Sequence, residues 1–174
     1  MMKPFLTVTV AVFAAVFALT QPVTAADSFG ARLRGLEEVP SISTAGQGFL
    51  FAQLNDAETQ LDYTLFYVGT ESTVTQAHIH IGQTSVNGGI VLFFCTNLTT
   101  TPPAGVPLPP ACPNGAVNTV SGTLTAANVT AQTAQGIGSG EFAEVIRAMR
   151  AGFAYANVHS VAYPGGEIRG QISR

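Results

Sequence analysis

Eight short stretches rich in β-branched, aromatic and aliphatic residues recur along this chain, at 29–36, 48–54, 61–68, 74–81, 90–95, 117–124, 153–161 and 167–172. Clusters of glycine, proline, asparagine and serine separate them, which is the punctuation of an antiparallel sandwich or barrel. In the third stretch Leu61, Tyr63, Leu65 and Tyr67 alternate with Asp62 and Thr64 until Phe66 breaks the rhythm. One face of that strand is therefore expected to be buried. The run Ala162-Tyr163-Pro164-Gly165-Gly166 puts proline before glycine, suited to a type II turn joining the last two strands as a hairpin. The expected fold is all-β, an antiparallel β-sandwich or barrel of about eight strands.

One segment has a different period. Over 141–151 the apolar residues Phe142, Val145, Ile146 and Met149 fall at helical spacing, with Glu141, Glu144, Arg147 and Arg150 on the other side. This predicts one short amphipathic helix before the C-terminal hairpin, with Ser139 as its cap and Gly152 closing it in a left-handed conformation. Residues 125–128 read as a second, shorter helix start capped by Thr125.

Lys3, an apolar run over 5–19 and small residues at Thr24 and Ala26 predict a signal peptide spanning 1–26, cut before Asp27, with a cut one residue earlier, after Ala25, as the alternative. The apolar run is shorter than the ~20 residues of a membrane span, so no span is expected after cleavage. The remaining 27–174 segment has the length of one domain. It holds six arginines, ten acidic residues and no lysine, a balance that excludes nucleic acid as a partner. The expected location is secreted or periplasmic. There Cys95 and Cys112, the only cysteines, are expected to form a disulfide across a proline-rich loop.

All three histidines lie in two strand-like runs, Ala77-His78-Ile79-His80-Ile81-Gly82 and Tyr155-Ala156-Asn157-Val158-His159-Ser160. Strand alternation sends His78 and His80 to one face while Ala77, Ile79 and Ile81 cover the other. Neutral imidazoles suit copper or zinc, so His78, His80 and His159 are candidate metal ligands. If Val161 lies opposite Glu167 and His159 opposite Arg169, Glu167 sits diagonal to His159 and can orient its ring from outside the ligand set. Arg169 would then keep His159 neutral while repelling an incoming cation. Glu167 and Arg169, two apart on one face, are also expected to pair with each other. The alternative is purely structural, with the histidines hydrogen-bonding strand ends and holding the last hairpin.

Four segments together resemble the CHRD domain, a module named from chordin: Arg32-Leu33-Arg34-Gly35-Leu36-Glu37-Glu38-Val39-Pro40, the segment Ala77 to Gly82, Ser121-Gly122-Thr123-Leu124-Thr125-Ala126, and the closing run Tyr155 to Ile172, the most specific pieces being Ala77-His78-Ile79-His80 and Asn157-Val158-His159 followed by Pro164-Gly165-Gly166-Glu167-Ile168-Arg169-Gly170-Gln171. The resemblance implies an all-β extracellular module with no established catalytic activity. The first functional reading is thus a secreted, non-enzymatic β-domain binding a protein or a cell-envelope component. The alternative is a periplasmic copper- or zinc-binding protein using the three histidines. The His-x-His strand is also similar to that of copper/zinc superoxide dismutases. That enzyme class needs further histidines and an aspartate, and this chain has no other histidine to supply. Neither a nucleophile elbow nor a phosphate-binding glycine loop is present.

Overall fold

The computed structural model describes residues 26–174, so the expected signal peptide lies outside the described residues apart from its last position. The strands are β1 (Ser28–Arg34), β2 (Gln47–Leu54), β3 (Gln60–Val68), β4 (Val74–Ile81), β5 (Ile90–Thr96), β6 (Val117–Thr125), β7 (Ala154–Ser160) and β8 (Ile168–Gln171), with one α-helix, α1 (Phe142–Arg150), before β7. Each strand falls within two residues of its expected bounds. They form one eight-stranded sheet in the order β5-β4-β7-β8-β1-β2-β3-β6, every ladder antiparallel. The sheet curls until β5 and β6 touch, giving a nearly closed barrel. Across its interior the Tyr63 hydroxyl of β3 donates to the Phe94 carbonyl of β5 at 2.6 Å. Gly122 makes room for that ring, since a Cβ there would meet the Tyr63 oxygen at 2.8 Å.

The barrel interior collects the alternating apolar residues. Leu50 faces Leu65, Ala52 faces Tyr63 and Leu54 faces Leu61 across β2 and β3, and all six are buried. Ala77, Ile79, Val158 and Ile168 supply the same interior from β4, β7 and β8. Phe66 keeps the outward position that the pleat gives it and lies opposite Phe49. The helix adds Phe142, Val145, Ile146 and Met149 to the core.

The predicted disulfide between Cys95 and Cys112 is formed. Asn97 pins the loop behind it, donating to the Val74 and Cys112 carbonyls at 2.9 Å each and accepting from the Cys112 N–H at 3.1 Å. Such a bond points away from a reducing cytosol.

Three local expectations are corrected. Ser139 does not cap α1; its hydroxyl faces the Val129 carbonyl at 3.5 Å, and Glu141 begins the helix and accepts from the Gly138 N–H through its side chain. Gly152 does close it, at φ +75°. In the final turn Gly166 donates to the Tyr163 carbonyl at 3.1 Å, but the positive φ, +128°, belongs to Gly166 and not to Gly165, so the turn is not type II. The chain crowds the Glu38 carboxylate there, which a Cβ on Gly166 would meet at 2.8 Å. The hairpin register also differs: Asn157, not His159, lies opposite Arg169, and Val158 opposite Ile168. Residues 125–128 start a single turn of 3-10 helix over Ala126–Asn128, with the Asn128 side chain accepting from the Thr125 N–H at 2.9 Å.

Candidate metal centre

The registers assign a shared face. His78 lies opposite Asn157 and Phe93, His80 opposite Tyr155, Gln76 opposite His159, and Asn157 opposite Arg169. Directly paired residues point the same way, so these side chains all stand on the outer surface of β5-β4-β7-β8, behind the apolar core. That surface is not open to water. His78, His80, Tyr155, Asn157, His159 and Arg169 are all buried.

Three loops roof it. Over 36–42, Glu38 accepts from the Asn157 amide at 2.5 Å, and the Val39 carbonyl accepts from Asn87 at 2.9 Å. Over 82–89, Arg169 donates to the Asn87 side chain at 3.2 Å and to the Gln83 and Val86 carbonyls at 3.2 and 2.9 Å, and the Tyr155 hydroxyl accepts from the Gly88 N–H at 3.1 Å. Over 161–167, the Pro164 carbonyl accepts from His159 Nδ1 at 2.9 Å. A cavity of about 200 Å³ lies between the first and third of these loops, lined by Glu38, Pro40, Ile42, Tyr163, Pro164 and Gly166 among others.

Beneath this roof the three imidazoles converge. The His78 and His159 ring centroids are 4.5 Å apart, His78 and His80 4.8 Å, and His80 and His159 6.3 Å. One potential ligand atom from each lies within 4.8 Å of the others. His78 Nδ1 and His80 Nε2 are hydrogen-bonded at 2.9 Å, and His80 Nδ1 reaches the Gly88 carbonyl at 2.8 Å. The structural reading of the histidines is thus met in part, since two of them do hold neighbouring backbone. Two nitrogens remain buried with no partner, His78 Nε2 and His159 Nε2. Tyr155 stacks on His80 at 4.6 Å with the planes 4° apart, and the Arg169 guanidinium carbon sits 3.4 Å from the Tyr155 centroid. Phe93 meets His78 edge-on at 5.3 Å.

Desolvation sets the protonation of the cluster. Burial holds His78 well below the ordinary histidine range, reinforced by repulsion from the other two rings. Burial likewise takes His80 down to about 4, against the opposing pull of the Gly88 carbonyl, and lowers His159. All three are neutral near pH 7, the form that ligates a metal. Glu38 moves the other way, pushed up to about 7 by burial despite its bond from Asn157.

Two expectations about the surroundings fail. Glu167 does not orient His159: its Oε1 accepts from the Thr44 hydroxyl at 2.8 Å and the Glu71 N–H at 2.7 Å, while Pro164 holds the imidazole. Nor does Arg169 pair with Glu167 or stand beside His159; it rests on Tyr155 and bonds the 82–89 loop, placing its charge nearer His80. The cause is the two-residue difference in hairpin register. Tyr155, Asn157 and Glu38 were missed as members of the site. Alternation alone places Tyr155 and Asn157 on the face of His159, so that signal was available. No local pattern brings Glu38 there.

Among the described residues no helix is long and apolar enough to cross a membrane. The family model of the CHRD domain matches residues 29–172. No curated protein and no solved structure matches the chain.

Proposed function

The chain belongs to the CHRD domain family, and from that premise we propose that it is an exported, non-enzymatic binding module whose buried histidine cluster takes up one copper or zinc ion. The observation that carries this is the pair of buried imidazole nitrogens, His78 Nε2 and His159 Nε2, that meet no hydrogen-bond partner. A buried polar atom left bare costs about 1–3 kcal/mol. A cation coordinated by those lone pairs recovers that loss, and neutral imidazole suits both metals. The disulfide and the leader-like N-terminus support export to an oxidising compartment, secreted or periplasmic.

Metal content of the full chain expressed for export, purified without chelator and then titrated with each metal, tests the proposal. The expected result is one copper or zinc ion per chain, lost in His78→Ala. A chain that takes up neither metal at one equivalent ends the proposal.

A second reading, binding of a protein or envelope component, draws on the opposite wall of the barrel. Phe49 and Phe51 are 50% and 55% exposed on the outer face of β2, with Phe66 beside them and the Arg32 guanidinium 5.9 Å from the Phe49 ring. Aromatic side chains left in water on a sheet face are common anchors of recognition surfaces.

A further inference from the structure

Resting on the metal reading, we infer that the ion is held by two nitrogens and not three: His78 Nε2 and His159 Nε2 are the ligands, His80 is a positioning residue, and the preferred ion is monovalent copper. The assignment follows from where the ring protons must be. A carbonyl oxygen only accepts, so the contact of His80 Nδ1 with the Gly88 carbonyl puts the proton on Nδ1. A neutral ring then has a bare Nε2. The 2.9 Å contact of that atom with His78 Nδ1 is a hydrogen bond only if His78 carries its proton on Nδ1. His78 Nε2 is left bare. The Pro164 carbonyl fixes His159 in the same tautomer. The two nitrogens with free lone pairs on this account are the two that are buried without a partner.

Recruiting His80 as a third ligand is unfavourable on three grounds. Its Nε2 lone pair already accepts from His78, and turning it to a cation strands a buried N–H. Keeping both atoms of that hydrogen bond as ligands, 2.9 Å apart, gives an angle at the metal near 90° for bonds of about 2.05 Å, where tetrahedral zinc needs nitrogens about 3.3 Å apart. Finally, the His80 ring is clamped, lying flat on Tyr155 with Arg169 against the same tyrosine. Its role is to lock the tautomer of His78, as outer partners of metal-ligating histidines do.

Charge then selects the ion. No Asp or Glu belongs to the metal-ligating group among the described residues, and the Glu38 carboxylate of the roof is engaged by the Asn157 amide, so both ligands are neutral. Arg169, stacked beyond Tyr155, adds a positive charge on the His80 side. The cost of burying an ion grows with the square of its charge, so an uncompensated divalent ion is penalised far more than a monovalent one. Copper in its monovalent state accepts two-coordination by nitrogen, whereas zinc is almost always four-coordinate.

The test is anaerobic titration of the full exported chain with monovalent copper against a chromophoric copper chelator, parallel titration with zinc, and X-ray absorption of the loaded protein. Two nitrogen neighbours, one copper per chain and weaker zinc uptake are expected. His159→Ala should lose stoichiometric copper. His80→Gln, which keeps an acceptor for His78, should retain one copper with two nitrogens at about tenfold lower affinity. A third nitrogen neighbour, tighter zinc than copper, or His80→Gln as damaging as His159→Ala overturns the two-ligand assignment while leaving metal binding intact. Absence of uptake of either metal overturns both. The absorption measurement uses the unsubstituted protein, so it decides the ligand number even if a variant misfolds.

Discussion

The two walls of the barrel obey different rules. Along β2 every second side chain is exposed, whereas along β7 all seven residues are buried. The β1-β2-β3-β6 wall has one apolar face and one wet face, so its outer positions carry little structural duty. The β5-β4-β7-β8 wall is closed on both sides, by the apolar core within and by three loops without. A second covered face built from histidine, asparagine, arginine and tyrosine is stable only if nearly every polar atom finds a partner. Among the described residues, four of the five buried side-chain atoms that find none, in Gln76, His78, His159 and Glu167, belong to this double-covered side of the molecule. Unpaired buried polarity gathered on one wall is what the proposed metal would satisfy, and the other wall shows what the fold needs without one.

The largest effects should come from matched truncations, one in each wall. Leu65 and Arg169 are both buried, the first in the apolar interior and the second under the 82–89 loop. Leu65→Ala should cost about 3 kcal/mol through lost burial and the cavity left behind. Arg169→Met keeps much of the volume but abandons the Asn87, Gln83 and Val86 acceptors, and should cost about 2 kcal/mol. Urea denaturation of both variants measures the pair. An Arg169→Met protein as stable as the parent would show that the polar roof contributes nothing, and the contrast between the walls would collapse to packing alone.

Between about pH 7.5 and 5.5, above the range in which the Arg-paired Asp27 and Glu58 titrate, acidity should act mainly on the histidine-bearing wall. The three histidines have folded values below their unfolded value, so the unfolded chain binds more protons as pH falls. Their contribution is present above about pH 6.5 and is lost as pH drops toward the folded values, near 4 for His80. Glu38 has the reverse sign: its folded value of about 7 lies above the unfolded one, so it favours the fold at low pH and loses that effect as pH rises through 7. Three groups against one leave a net loss on the order of 1 kcal/mol between about pH 7.5 and 5.5 in metal-free protein. Glu38→Gln removes the opposing group and should steepen the slope, measured by denaturation across that range with chelator present. A flat profile in that variant would mean that the histidines are not desolvated as the roof requires.

How much of this was legible follows the same division. The one-sided wall writes itself into the sequence, since Leu61, Tyr63, Leu65 and Tyr67 alternate with residues that tolerate water, and the helix and the Cys95–Cys112 pair were equally plain. The grouping of His78 with His80 was also readable, because alternation is local. The positions of Glu167 and Arg169 were not. The hairpin turn is longer than a five-residue loop implies, and two residues of register moved both side chains to other partners. The roof itself, residues 36–42 and 82–89, has no periodicity to read. It is held by long-range bonds such as Asn157 to Glu38 and Asn87 to the Val39 carbonyl, which no window of sequence contains.

The smallest effect, and the sharpest control, lies on the wet face. Phe51 stands opposite Thr64 on β3 and is 55% exposed, so its ring gives up little water on folding. Phe51→Ser should change stability by no more than about 0.5 kcal/mol and leave copper or zinc uptake at the parent value. The double variant Phe49→Ser, Phe51→Ser tests whether that holds for the whole aromatic patch. A loss of more than about 1.5 kcal/mol would place these rings under cover in solution, most simply by a second molecule of the chain, which a concentration-dependent unfolding midpoint would reveal. With stability intact, the same variant becomes the probe for the recognition reading: a partner that binds the parent and releases the double variant uses this wall, while uptake of the proposed metal at the histidine cluster, on the opposite side of the barrel, should be indifferent to the change.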